Sequence, residues 1–314
     1  MSTSATKTFA SHSKLMISGE YLVLKGALSL AVPLHFGQKL TICETKGVAT
    51  IKWKSFKNDY LWFYAELSLT DFQITDTNLP EHSETLGKIL VAAKELNPLF
   101  LAQKSEYRVN SEMDFNPDWG IGSSSSLISN IAYWADCDPF QLNLRIFNGS
   151  GYDIACARSL SPIVYELKES MPVYREAAFH PSFHHQLFFV YMNQKQSSKE
   201  SIKILDHLTI KEADLQAISD LTIEMEKADE LKAFQSLMTE HEKIISKIIQ
   251  IQPVKKRIFS DFDGSIKSLG AWGGDFILAA SSAPEDYVRN YFKSKNLETI
   301  FKYKDIVYDI KSMF

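Results

Sequence analysis

Glycine placement constrains this chain more than any other feature. Only thirteen of its 314 residues are glycine, yet eight of them fall in three clusters. These are Gly120 and Gly122, then Gly149 and Gly151, then Gly264, Gly270, Gly273 and Gly274. Glycine at about 4% lies below the average of roughly 7%. A chain that spares glycine but concentrates it needs left-handed backbone or close ligand approach at those places.

Each cluster abuts an expected element. Pro117-Asp-Trp-Gly120-Ile-Gly122-Ser-Ser-Ser-Ser126 runs into Leu127, Ile128, Ile131, Ala132 and Ala135, which share one helix face. Glycines there turn amides inward, and the helix N-terminus adds partial positive charge, which together make an anion cradle. The serine hydroxyls add phosphate donors or a Mg²⁺ ligand. A serine-capped helix after a turn is the plainer alternative. The pattern is neither GxGxxG nor GxxxxGK[ST], so neither Rossmann nor Walker A chemistry follows. Gly149-Ser-Gly151-Tyr-Asp153 sets a carboxylate just after a flexible turn, with a capping aspartate as the alternative. Lys267-Ser-Leu-Gly270-Ala-Trp-Gly273-Gly274-Asp275 precedes an apolar run and also reads as a loop entry.

The intervening pattern is mixed α and β. Residues 7–45 and 48–75 read as strand-rich, including Tyr21 to Leu24 and the aromatic run Tyr60 to Tyr64. Leu86 to Leu96 has helical apolar spacing, and Asp138-Pro139-Phe140-Gln141 has the N-cap, N1 and N3 residues of a helix start. Leu187 to Met192 and Phe276 to Ala280 read as buried strands. Two long helical patterns lie between them, one through Leu215, Ile218, Leu221 and Met225, the other through Phe234, Met238, His241 and Ile245. Residues 284–314 read as helix then strand. The change of character after Tyr165 places a boundary near 168–184, giving domains 1–175 and 176–314.

Composition narrows the function classes. Thirty-four basic against 38 acidic residues give a net charge of −4, so no nucleic-acid surface is expected. Cys43, Cys137 and Cys156 lack CxxC spacing and are odd in number, which suits a reducing, cytoplasmic setting. Met1 to Ser13 is polar, so no signal peptide is expected, and no apolar run is long enough to span a bilayer.

The order of the clusters, with Lys14-Leu-Met-Ile-Ser-Gly19-Glu20-Tyr21 ahead of them, resembles the GHMP kinase superfamily. Lys14 to Tyr21 is similar to its first motif, and Gly120 to Ser125 to its Gly-Leu-Gly-Ser-Ser-Ala phosphate loop. Gly149 to Asp153 resembles the segment with the catalytic aspartate, and Lys267 to Gly274 the last glycine-rich motif. Gly-Glu-Tyr and Asp275 lean toward the phosphomevalonate kinase side of the mevalonate/phosphomevalonate kinase-like branch, and Gly-Tyr-Asp-Ile-Ala resembles a bacterial subgroup named for those letters.

The resemblance implies an α+β fold, with an N-terminal domain like the second domain of ribosomal protein S5 and a ferredoxin-like C-terminal domain. It implies ATP-dependent phosphorylation of a small molecule, with mevalonate or phosphomevalonate leading. Homoserine, a sugar, a decarboxylase of the same superfamily, or a non-catalytic sensor are the alternatives. It assigns catalysis to Asp153 and Lys14, and ATP binding to Gly120, Ile121, Gly122, Ser123, Ser124 and Ser125. Substrate contacts go to Glu20, Tyr21, Ser197, Gly273 and Gly274, and Mg²⁺ to Ser124 and Asp153. No nucleic acid or membrane partner is implied, and a homodimer is an open arrangement.

Three departures stand out. Ser11-His12-Ser13 replaces a usual Ala-Pro-Gly, and Trp272 replaces a glycine where it could narrow the phosphate pocket. Residues 127–152 contain no glutamate, although family members usually place a Mg²⁺ ligand there.

Overall fold

A computed structural model describes residues 5–194, 208–270, 272 and 274–313. The chain divides into two compact units, each drawn from separate stretches of sequence. The first comprises Met1–Ser13, Phe36–Pro117 and Gly122–Arg158; the second comprises Lys14–His35, Asp118–Ile121 and Ser159–Phe314. This discontinuity arises from two long paired strands, β1 (Ala5–Ser18) and β2 (Ser29–Lys46), each of which contributes residues to both units. The boundary expected at 175/176 falls within β8 (Met171–Glu176).

In the first unit the strand order is β5-β4-β3-β6-β2, with β3 (Thr50–Lys57), β4 (Tyr60–Ser68), β5 (Ile74–Thr77) and β6 (Ser105–Met113). The β3–β6 pair is parallel and the others are antiparallel. Alternate residues of β3 and β6 point to the core, so Ile51, Trp53 and Val109 are buried. Against them pack Leu86, Ile89 and Leu90 of α1 (Pro80–Leu96) and Ile128 and Ile131 of α2 (Ser123–Ala135). α3 (Pro139–Phe147) starts as expected: the Asp138 carboxylate accepts from the Phe140 and Gln141 amides at 2.8 and 3.3 Å, with Pro139 at the first helical position. α4 (Tyr152–Ala157) packs on α2.

In the second unit, β7 (Ile163–Lys168) pairs with the start of β2 and then with β8. A four-stranded antiparallel sheet follows in the order β10-β11-β9-β12. Its members are β9 (Leu187–Tyr191), β10 (Ser265–Ser268), β11 (Phe276–Ala280) and β12 (Ile300–Lys302). All five residues of β9 and of β11 are buried, which is why both read as unbroken apolar runs. The helices are α5 (Glu212–Lys227), α6 (Leu231–Ile249), α7 (Val254–Ile258), α8 (Glu285–Ser294) and the short α9 (Tyr303–Ile306). Arg175 of β8 makes a two-pronged pair with Glu226 of α5 at 2.6 and 2.7 Å.

Two local expectations are corrected. Tyr21 to Leu24 is not a strand: Leu22–Lys25 is a 3-10 turn, closed by Gly26 at φ 94°. The left-handed glycines at 19 and 26 break the extended run on either side. Lys255 to Arg257, a short basic run after Pro253 that reads in the sequence as a solvated loop, instead lies in α7, with the Lys255 ammonium bonded to the Gly264 carbonyl.

A buried polar network runs through the first unit. Gln38 donates to Ser111 Oγ at 2.6 Å and accepts from Ser126 Oγ at 2.8 Å. Its backbone carbonyl accepts from Asn130, whose Oδ1 accepts from Ser11 at 2.9 Å. Removing one member leaves sealed partners without a bond, which costs more than the bond itself. Gln38→Leu should therefore lower stability by about 2 kcal/mol in urea unfolding; an unchanged midpoint would show that the network contributes nothing.

Candidate functional site

The first glycine cluster is built as an open helix N-terminus. Gly120 and Gly122 have φ of 70° and 102°, and Gly122 is the N-cap of α2 with no side-chain cap. Ser125 and Ser126 are buried, and both hydroxyls bond the Gly122 carbonyl, at 2.9 and 3.0 Å. They brace the turn from behind. Ser123 is half-buried and Ser124 exposed. Ile121 is buried, and its carbonyl accepts the Lys14 amide at 2.8 Å. A Cβ on Gly120 would lie 2.5 Å from the Asp275 carboxylate, so this position excludes a side chain by contact as well as by φ.

The second cluster repeats the glycine N-cap within the first unit. Gly151, at φ 85°, is the N-cap of α4 and again supplies no side-chain cap. Asp153 sits in the first turn, half-buried, with Oδ1 accepting the Ile154 amide at 3.0 Å. Negative charge in a helix's first turn is favoured by the helix dipole. Lys14, also half-buried, belongs to β1 in the second unit.

The third cluster joins the first motif through buried charge. Glu20 and Lys267 are 1% and 0% exposed, and their side chains are in direct contact. The Lys267 ammonium also donates to the Ser268 carbonyl at 3.0 Å, and the Gly270 amide donates to Glu20. Burial pushes the Glu20 carboxyl above its ordinary range, opposed by Lys267. His241 of α6, fully buried, accepts the Gly19 amide at Nε2, 3.0 Å away. Nε2 is thus spent as an acceptor, and its 3.2 Å approach to Glu20 is no ion pair. Burial, reinforced by Lys267, holds this imidazole neutral, well below its usual range.

Tyr21 completes the junction. Its φ of 63° and ψ of −52°, with Leu22 N–H bonded to the Glu20 carbonyl at 2.7 Å, describe a γ-turn of the rare, strained sign. The phenol accepts the Trp272 amide at 2.8 Å. Trp272 is buried among Tyr21, Leu22, Ile218, Ile245 and Ile249, so its indole packs into the second unit's core. Gly274 is buried next to Asp275; Gly273 and Ser197 lie outside the described residues.

Glu20 and Tyr21, expected as substrate contacts, therefore bond Lys267, Gly270 and Trp272. Sequence reasoning missed His241 and Glu242. The signal was a histidine within the apolar stripe Phe234, Met238, His241, Ile245, where a polar residue has to find a partner. Among the described residues, no three His, Cys, Asp or Glu side chains are grouped to hold a metal, and no helix is long and apolar enough to cross a membrane. Losing one partner of a sealed ion pair strands the other charge. Lys267→Met should thus cost about 3–5 kcal/mol in chemical unfolding; a loss under ~1 kcal/mol would contradict the pairing.

No protein-family model and no curated protein sequence matches the chain. Solved structures do. The mevalonate kinase of Methanococcus jannaschii superposes with a TM-score of 0.68 at 18% identity, covering 95% of this chain and 97% of that one. The Streptococcus pneumoniae phosphomevalonate kinase, solved with phosphomevalonate and AMPPNP, gives 0.70 at 14%, covering 94% and 99%. The Lactococcus lactis galactokinase, solved with galactose, gives 0.63 at 12%, covering 97% and 93%. The chain thus has the α+β, two-sheet fold of the GHMP kinases over nearly its whole length.

Proposed function

We propose that this chain is an ATP-dependent small-molecule kinase that transfers the γ-phosphoryl group to an acceptor oxygen, with mevalonate or phosphomevalonate as the leading acceptor. The observation behind this reading is the uncapped N-terminus of α2, with Gly122 at φ 102° and Ser125 and Ser126 braced against its carbonyl. Such an end offers amides and partial positive charge to phosphate oxygens.

In this reading the amides of Gly122 to Ser125 hold the ATP phosphates. Gly120 and Ile121 set the turn, and the Ser123 and Ser124 hydroxyls face the nucleotide. Asp153 accepts a hydrogen bond from the acceptor hydroxyl and takes its proton as the new O–P bond forms and the bond from the γ-phosphorus to the bridging oxygen breaks, releasing ADP. This reading also gives Lys14 a catalytic role, as the cation that favours the developing alkoxide. A phosphate acceptor would need no such proton removal.

The donor set suits Mg²⁺ brought in by the nucleotide. Ser124 offers an exposed hydroxyl and Asp153 one carboxylate, and no carboxylate cluster among the described residues would hold the ion alone. Ser124 and Asp153 would hold it; when bound it neutralises charge on the phosphate oxygens. Asp138 is already engaged in capping α3, which argues against its standing in for the missing glutamate.

Glu20 and Tyr21 then serve the acceptor indirectly, by fixing the loop that leads to Gly273 and Gly274, and Ser197 is a candidate contact from the segment after β9. Trp272 packs into the core, which weakens the case for a non-catalytic sensor with a narrowed pocket.

The test is ADP release from ATP with mevalonate, phosphomevalonate, diphosphomevalonate, homoserine and galactose. Turnover with mevalonate or phosphomevalonate supports the reading; ATP binding without turnover on any acceptor favours the sensor. With a hydroxyl acceptor, Asp153→Asn should lower kcat by about 10²–10⁴-fold and leave ATP affinity nearly intact. Near-normal kcat in that variant would remove Asp153 from catalysis.

A further inference from the structure

We infer that Glu20, Lys267, His241 and Glu242 form a sealed clamp that keeps one proton on Glu242 and so positions the Ser268–Gly270 loop against the Gly19–Tyr21 turn. Only its consequence for turnover rests on the kinase reading.

The four side chains are at most 2% exposed and bring together two carboxyls, one ammonium and one imidazole. His241 takes no positive charge, because its Nε2 accepts the Gly19 amide. Lys267 is in direct contact with Glu20, so one carboxylate is matched by one ammonium. Glu242 is the charge left over. Its Oε1 accepts the Ser268 amide at 3.0 Å, and the Val254 amide also donates to this carboxyl. Its Oε2 is buried with no bond among the described residues. A second anion sealed beside Glu20 is costly unless it takes a proton.

Among the described residues, no other cation is aimed at Glu242. β10 presents Lys267, the turn after β1 presents Glu20, and α6 itself adds neutral His241. From α7, Lys255 is spent on the Gly264 carbonyl; from α5, Glu226 is spent on Arg175. Lys243 and Glu240 pair with each other on the exposed side of α6. Burial, with Lys267 opposing and Glu20 adding, carries the Glu242 carboxyl up to about 8, so it is a neutral acid at pH 7.

The clamp acts on backbone at both ends. It holds Ser268 N–H, Ser268 C=O and Gly270 N–H on one side and Gly19 N–H on the other. These are positioning contacts. Above about pH 8 Glu242 ionises beside Glu20, two anions share one ammonium, and the loop loosens. The sign follows from linkage: a carboxyl raised from 4.5 to about 8 adds stability that is full below 4.5 and is lost as pH rises through about 8.

Glu242→Gln tests this, because the amide mimics the protonated acid and keeps an acceptor for Ser268. Between pH 5 and pH 9 the Tm of the unaltered protein should fall by about 5 °C or more beyond that of the variant. Hydrogen exchange at Ser268–Gly270, corrected for intrinsic rates, should rise ~10-fold over that range only in the unaltered protein. Parallel melting curves, or identical exchange in both proteins, would overturn the clamp. If turnover is found, its kcat should drop through about pH 8 and be spared in Glu242→Gln; an identical kcat profile in both proteins would deny the clamp a role in turnover. If no acceptor is phosphorylated, the kinase reading fails while melting and exchange still decide the clamp. Should the variant not fold, ¹³C-carboxyl NMR of the unaltered protein decides: one glutamate titrating near pH 8 supports the clamp, and every glutamate titrating below pH 6 overturns it.

Discussion

The Glu20–Lys267 ion pair is the interaction on which the turn after β1 and the loop after β10 depend. It is sealed from water, so its charges are worth far more to one another than a surface pair, and the loss of either would be correspondingly severe. Its members come from opposite ends of the sequence, the turn after β1 and the end of β10. Around it His241 holds Gly19, Glu242 holds Ser268, and Tyr21 holds Trp272. The strain of the Tyr21 γ-turn persists because the phenol's bond to the Trp272 amide and its burial leave the ring nowhere else to go.

In the first unit the constraint is different. There the chain places left-handed glycines, 122 and 151, at the N-caps of α2 and α4, where a capping side chain would normally stand. Serine division of labour makes the α2 end durable. Ser125 and Ser126 turn back onto the Gly122 carbonyl, and Ser126 is further tied through Gln38 to Ser111. Ser123 is left half-buried and Ser124 exposed. In the proposed reading, this bracing lowers the ordering cost of binding phosphate.

Much of this was legible in sequence. Strand-rich patterning located β3 and β4, unbroken apolar runs located β9 and β11, and period-3.6 spacing located α2, α5 and α6; the Asp138-Pro139 start was correct because capping is a local interaction. The order of the glycine clusters pointed to the right fold. What failed was set by contacts distant in sequence. Tyr21 to Leu24 has strand composition, but Gly19 before it is left-handed and packed so closely on Ser29 that a Cβ would lie 2.5 Å away. Trp272 looked like an obstruction, and only the apolar cluster contributed by α5 and α6 explains it. His241 and Glu242 carry no motif, and their partners lie 222 and 26 residues away. The interleaved units could not be read either, because strand pairing between β1 and β2 leaves no composition shift at the crossover.

The most direct test of the central claim is amide-resolved NMR of the protein titrated with Mg²⁺ and a non-hydrolysable ATP analogue. The account predicts that the largest amide shifts fall on Gly122, Ser123, Ser124 and Ser125, and that Mg²⁺ alone moves none of them. Saturable binding of the analogue that leaves those four amides unmoved would contradict it.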